Sequence, residues 1–338
     1  MTDKPIFFER NRVGRVYTGG KLFADLFGDA DEDNFEPEEW IASAVKAINK
    51  EQKSEKEGVS KIKDSDLYFD ELLEKYPNEL LGKAGKLRIL VKALDSAIRL
   101  PAQAHPDKEF SRKYFNSDYG KTECWTILGL REGAKLYFGF KDGVTKEDFE
   151  AAIDKSETDP TAMEKLMKEI YPKVGDTYLV PAKTVHAIGA GCLILEIQEP
   201  TDFTIQPEHF CGEYKLNEKE MYLSLNRQEA VSCFDFTDAP DTKMKPEIIE
   251  KGDGLVKENV VGAAHTDCFV INRIKLDGGE YSLKIEDSYG VYIVTEGAGE
   301  IKGENYSKKI KKGDYFFLPA CLMGKFKASG NLEITECY

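Results

Sequence analysis

The chain has 338 residues, a formal net charge of −14 and a sequence pI near 5.0, which is long enough for two domains with a core in each. So acidic a balance argues against nucleic acid as a partner, because a phosphate backbone calls for a basic surface. Residues 1–10 hold no apolar signal-like core, and no run approaches the roughly 18 apolar residues of a membrane span. Neither export nor membrane insertion is expected. Seven cysteines, scattered from Cys124 to Cys337 without Cys-x-x-Cys pairs, suit reduced thiols in a cytoplasmic protein.

The first hundred residues read as mixed. The charged stretch 49–63 alternates in sign and reads as a solvated loop. Residues 66–76 have helical apolar spacing and stop before Pro77. A strand over 87–94 follows, and from there the period shortens: 124–130, 134–140, 177–180 and 192–199 read as strands with turn residues between them. Residues 145–171 interrupt this run with two helical pieces. Thr145 and Asp148 make a capping-box-like start, Asp159-Pro160 makes a second, and Met163, Leu166, Met167 and Ile170 form one apolar stripe suited to covering the end of a β-barrel. The stretch 235–253, rich in Pro, Asp, Lys and Gly, marks a domain boundary. Beyond it 268–276, 280–285, 290–295, 299–301, 315–318 and 332–337 read as strands of a nearly all-β module.

One internal repeat ties the halves together. Gly175-Asp176-Thr177-Tyr178-Leu179-Val180-Pro181 recurs as Gly313-Asp314-Tyr315-Phe316-Phe317-Leu318-Pro319, but the first copy ends in His186 and the second in Gly324. A metal held by one copy therefore belongs to the first. Upstream, Gln103 and His105 are two apart, so in a strand both side chains leave one face about 7 Å apart. Glu123 adds a carboxylate just before a strand. Two imidazoles, a carboxylate and an amide oxygen fit a borderline divalent ion such as zinc, with room for water or substrate. The expected fold is mainly β, two cupin-type β-sandwich barrels with an N-terminal mixed region and a helical insertion near 145–171. His265 precedes the second barrel's strands and reads as a surface or boundary residue. Cys124 and Cys192 sit in apolar strand-like runs and read as small hydrophobes, not as nucleophiles.

The same residues resemble the type I phosphomannose isomerase family over nearly the whole chain. Phe7-Phe8-Glu9-Arg10 is a loose match, Glu-Pro-Glu-Glu-Trp-Ile-Ala-Ser at 36–43 a better one, and Leu90-Val91-Lys92-Ala93-Leu94-Asp95 leads into Gln103-Ala104-His105-Pro106-Asp107. Lys121-Thr122-Glu123-Cys124-Trp125 and His186-Ala187-Ile188-Gly189-Ala190-Gly191 look like two further signatures. The resemblance implies one zinc ion per chain on Gln103, His105, Glu123 and His186, and an activity interconverting mannose 6-phosphate and fructose 6-phosphate. It also implies a catalytic domain over 1–234 and a degenerate C-terminal cupin domain over 235–338, the latter serving as support or as the contact of a homodimer. The implied partner is a small sugar phosphate.

Three residues are candidates for the chemistry. Glu196, amid Ile and Leu in 192–198, would have a raised pKa suited to carrying a proton, or would hold a metal ligand in place. Lys121, two before Glu123 and so on its face, could bind a sugar oxygen or stabilise an enediolate. Gln206 stands in Thr201-Asp202-Phe203-Thr204-Ile205-Gln206 where the family carries a catalytic arginine, and a glutamine brings no charge to bind phosphate or a developing anion. His209, on the same loop, could compensate. The departure at Gln206 keeps two other readings open, an isomerase of another sugar or sugar phosphate and a catalytically silent metal-containing sugar-binding protein. An iron-dependent cupin dioxygenase is more distant.

Overall fold

The structure, a computed structural model, describes residues 2–237 and 242–338. Part of the expected boundary at 235–253 thus lies on 238–241, outside the described residues. Six antiparallel strands form one sheet in the order Arg12–Val13, Glu38–Ile41, Leu90–Ser96, Cys192–Gln198, Glu123–Leu130, Thr177–Val180. A second sheet, Met167–Ile170, Leu136–Phe140 and His186–Ile188, packs against it. The two share a core of Leu94, Trp125 and Ile194 with Leu136, Phe138 and Ile188.

Alternation along the strand decides what each side chain meets. Leu195 and Ile197 leave one face of Cys192–Gln198 and pack on Ile271, Val291 and Phe317 of the C-terminal sheet. Each such side chain, fully buried, contributes about 1.5–3 kcal/mol. Ile194 leaves the other face into the barrel interior, and Glu196 shares that face. Its cross-strand neighbours are Lys92 and Trp125. Register alone therefore puts a lysine and a carboxylate side by side inside the first barrel.

The C-terminal sheet runs Ile6–Phe7, Tyr315–Leu318, Gly290–Gly303, Lys327–Cys337, Ile271–Ser282, Leu255–Val261, Glu247–Gly252, with Tyr306–Lys311 paired to Gly290–Gly303. The chain's first strand thus completes the sheet formed by its last. Separate strands expected at 290–295 and 299–301 are one strand, Gly290–Gly303, and Ile271–Ser282 likewise runs from the expected 268–276 into 280–285 without a break. Register shifts at Val294/Glu296 and Asp277/Glu280 bend each without ending it, and the glycines there, Gly297 and Gly278, have positive φ.

Three local readings are corrected. Only Lys146–Lys155 of the insertion is an α-helix, with the expected Thr145–Asp148 capping box. The second piece is a 3₁₀ turn at Glu164–Leu166 followed by the strand Met167–Ile170, because this segment pairs with the open edge of Leu136–Phe140. A free edge outweighs helical spacing when the apolar residues can be buried either way. Pro77 does not only end a helix: it stands at the first position of a second one, Pro77–Leu81. The loop 49–63 is solvated only in its first half. Val59, Ser60 and Ile62 are buried, and the Glu57 carboxylate accepts from the Gly14 and Lys53 amides.

The internal repeat is structural. In both copies the Asp side chain accepts from the amide three residues earlier, Asp176 from Lys173 at 3.0 Å and Asp314 from Lys311 at 2.9 Å. Both glycines, Gly175 and Gly313, have positive φ. At Gly313 an added Cβ would lie 2.0 Å from the Leu26 carbonyl oxygen, so only glycine fits there.

Candidate metal and sugar site

Gln103 and His186 face each other as a bridge pair, each amide donating to the other's carbonyl at 2.9 Å. Ala104 bridges Ile205 on the other side. This short ladder extends 103–105 and turns Gln103 and His105 to one face, as their spacing predicts. The amide nitrogen Nε2 of Gln103 lies 3.3 Å from His186 Nε2. Glu123 opens its strand beside them, with Oε2 3.2 Å from His105 Nε2 and Oε1 3.4 Å from His186 Nε2. The ligand atoms of His105, Glu123 and His186 all lie within 4.8 Å of one another, and all three residues are buried.

The donor set fits a metal ion in its details. His105 Nδ1 is 2.9 Å from the Phe203 carbonyl and His186 Nδ1 is 2.9 Å from the Thr184 carbonyl. Each Nδ1 therefore carries the proton, and each Nε2 presents its lone pair to the common point. Burial pushes the His186 pKa down to about 3 and lowers that of His105, so both rings are neutral ligands near pH 7. Burial opposes ionisation of Glu123, but the Lys121 ammonium group outweighs it and holds the carboxyl well below the usual range. Its Oε1 has no hydrogen-bond partner. An acceptor left bare at full burial is costly unless something cationic meets it.

Lys121 joins this cluster to a cavity of about 440 Å³ that Gln103, Lys121, Glu196 and Gln206 help to line. Its Nζ is 2.8 Å from His105 Nε2, hydrogen-bonds Glu123 Oε2, and stands 3.7 Å from Glu196 Oε1. Glu196 is only 3% exposed. Burial and then the Glu123 charge raise its pKa, against the pull of Lys121 and Lys92. Its Oε1 also lacks a hydrogen-bond partner. Neither imidazole is held by Glu196, since backbone carbonyls take both Nδ1 protons.

Gln206 lines the cavity, but its polar groups are engaged: its amide donates to the Met221 carbonyl at 2.9 Å and its Nε2 to the Glu220 carbonyl at 3.3 Å. His209 is half-buried and does not line the cavity; its backbone bonds to Ser156 and Leu216. His265 sits in a turn, where its Nδ1 accepts from the Gly262 amide. Burial pushes the Cys192 thiol up to about 12 and raises that of Cys124, as befits inert thiols.

Four lining charges were not anticipated. Arg15 pairs with Glu38 at 2.9 Å and Asp202 at 3.0 Å, while Lys92 lies 3.5 Å from Glu196, 3.7 Å from Asp202 and 3.9 Å from Glu38. Burial opposes the charge on Glu38, yet Arg15 and Lys92 hold its pKa far below normal. Lys92 did carry a signal: a lone lysine on the inward face of an otherwise apolar strand is too costly to bury without partners.

Known proteins resemble this chain along its full length. The family described as mannose-6-phosphate isomerase, cupin domain, matches residues 262–338. Mannose-6-phosphate isomerase ManA of Bacillus subtilis (strain 168) is 30% identical over 336 residues, 98% of each chain. The probable mannose-6-phosphate isomerase GmuF of the same organism is 28% identical over 333 residues, 97% of each chain. The crystal structure of the mannose 6-phosphate isomerase from Bacillus subtilis superposes with a TM-score of 0.81 at 25% identity, covering 99% of this chain and all of that one.

Proposed function

The chain belongs to the mannose-6-phosphate isomerase family, and we propose that it interconverts mannose 6-phosphate and fructose 6-phosphate with one zinc ion per chain. The observation that carries this reading is the convergence of His105, Glu123 and His186, with lone pairs aimed at one point, beside a cavity lined by Lys121 and Glu196. Gln103 completes the donor set once its amide oxygen, rather than Nε2, faces that point. When bound, the divalent ion supplies Lewis-acid polarisation of the sugar's carbonyl.

The chain's own residues do the rest. Glu196 takes the proton from C2 of the open-chain aldose and returns it to C1, while the proton of the C2 hydroxyl passes to O1, so that the alcohol at C2 becomes the ketone as the aldehyde becomes a hydroxyl; the transfer between carbons suits a buried carboxyl with a raised pKa. Lys121 donates to the oxygens on C1 and C2 as negative charge grows there. Its Nζ lies 2.8 Å from His105 Nε2 and 3.7 Å from Glu196 Oε1, so a metal ion held by His105 would require the ammonium group to withdraw toward Glu196. Gln206 lines the cavity without bringing charge to it, its Nε2 donating to the Glu220 carbonyl. On this reading the chemistry belongs to residues 1–234, and 235–338 is a scaffold whose Gly324 offers no ligand.

Purified, zinc-loaded protein assayed against mannose 6-phosphate and a panel of other sugar phosphates and free sugars tests the proposal. Turnover of mannose 6-phosphate with the highest kcat/KM supports it. No turnover of that substrate across divalent metals and pH would overturn it, and a better rate on another sugar would favour the second reading that the uncharged Gln206 suggests.

A further inference from the structure

We propose that Lys219 and Lys50, both exposed and both lining the cavity, recognise the phosphate group, so that preference for a phosphorylated sugar is set at the solvent side of the cavity. This rests on reading the cavity as a sugar-phosphate isomerase site. The lining holds five cationic side chains: Arg15, Lys50, Lys92, Lys121 and Lys219. Three of them are already neutralised, Arg15 by Glu38 and Asp202, Lys92 by Glu196 and Asp202, and Lys121 by Glu123. A phosphate reaching these three would have to displace carboxylates that are themselves buried, leaving anions unpaired at low dielectric. Lys50 and Lys219 are exposed, and among the described residues neither stands within ion-pair distance of a carboxylate.

The orientation of the substrate follows from the same layout. The reacting carbons must lie at the buried end, against Lys121 and Glu196. The far end of a hexose then points to solvent, where the two free lysines stand.

Both lysines ride on anchored backbone. Lys219 belongs to the short helix Glu218–Tyr222, capped by Asn217, whose Oδ1 accepts from the Glu220 amide at 3.0 Å. The neighbouring Glu220 carboxylate does not compete for it, being bonded to the Asn217 amide at 2.9 Å and the Tyr214 hydroxyl at 2.8 Å. Gln206 holds the helix against the cavity through the Met221 and Glu220 carbonyls, which makes it a positioning residue for Lys219. Lys50 follows Asn49, which is fixed by Arg15 at 3.0 Å and by the Gly14 carbonyl at 3.0 Å. A phosphate monoester, carrying about −1.5 to −2 at neutral pH, suits two exposed ammonium groups carried on anchored backbone.

The test compares wild type, Lys219→Met, Lys219→Arg and the Lys50→Met/Lys219→Met double variant on mannose 6-phosphate and on mannose, with inorganic phosphate as a calorimetric and inhibition probe. Lys219→Met is expected to raise KM for mannose 6-phosphate and weaken phosphate binding about tenfold. Its kcat should stay within about twofold and its activity on mannose should not change, while Lys219→Arg retains the wild-type values. Gln206→Ala added to Lys219→Met should weaken phosphate no further. Unaltered phosphate affinity in the double variant, or equal losses on mannose and mannose 6-phosphate, would overturn the inference. Should the wild type isomerise no sugar phosphate, the functional reading fails, and the calorimetric titration with inorganic phosphate still decides the role of the lysines.

Discussion

Replacing Glu196 by Gln keeps the side-chain volume and removes one charge from the cavity wall. The structure indicates that the fold will tolerate it. Lys92, 3.5 Å from Glu196, retains Asp202 at 3.7 Å and Glu38 at 3.9 Å, and Lys121 retains Glu123. The metal cluster is not oriented by Glu196, because both Nδ1 atoms bond to backbone carbonyls. A carboxylate that carries the proton contributes about 10²- to 10⁴-fold, or about 2.7–5.4 kcal/mol of barrier. Glu196→Gln is therefore expected to lower kcat by that factor, leave KM within a few-fold and leave metal content at the wild-type value. The acidic limb of the pH–rate profile, displaced upward by the raised pKa of Glu196, should vanish from the residual activity. A kcat within about threefold of wild type would refute the assignment. So would loss of metal with normal turnover per bound ion, which would make Glu196 a support for the ligands.

His105→Ala and His186→Ala should each abolish tight metal binding, measured by equilibrium dialysis, whereas His265→Ala should keep the full metal content because its ring serves only the turn at Gly262. Lys92→Met should lower unfolding stability in denaturant titrations by about 3–5 kcal/mol, since it strips the cation from between three buried carboxylates. In metal-free protein, between pH 6.5 and about 3 the unfolded His186 ring binds a proton that the folded ring excludes. Stability should therefore fall as acid is added, by about 2 kcal/mol from this residue between pH 6.5 and 5. His186→Gln should flatten that slope, and an unchanged slope would contradict the buried neutral ring.

Much of the site is legible in the sequence because it follows strand alternation and short spacings. Gln103 and His105 lie two apart on an extended segment, Lys121 and Glu123 likewise, and the structure brings all four together with His186 and Glu196. The charged ring of Arg15, Glu38, Lys92 and Asp202 was hidden for a physical reason: its members come from four separate segments, and only sheet order places them together. Likewise Met163, Leu166, Met167 and Ile170 have helical spacing, yet pairing with Leu136–Phe140 is a long-range fact that no local period contains. The bulged strands of the second barrel were split at Gly297 and Gly278 because a glycine that bends a strand reads the same as one that ends it. The pairing of Ile6–Phe7 with Tyr315–Leu318 joins the two ends of the chain, a separation that sequence patterns do not span.

On the proposed function, isomerisation of mannose 6-phosphate requires one ion held by His105, Glu123 and His186. Titrating zinc into chelator-stripped enzyme, while following isomerisation and bound metal together, tests it most directly. Activity should rise from near zero in proportion to bound metal and break at one equivalent per chain, and His186→Ala should show neither the rise nor the tight binding. Full activity in the stripped enzyme, or a normal titration in His186→Ala, would contradict the account.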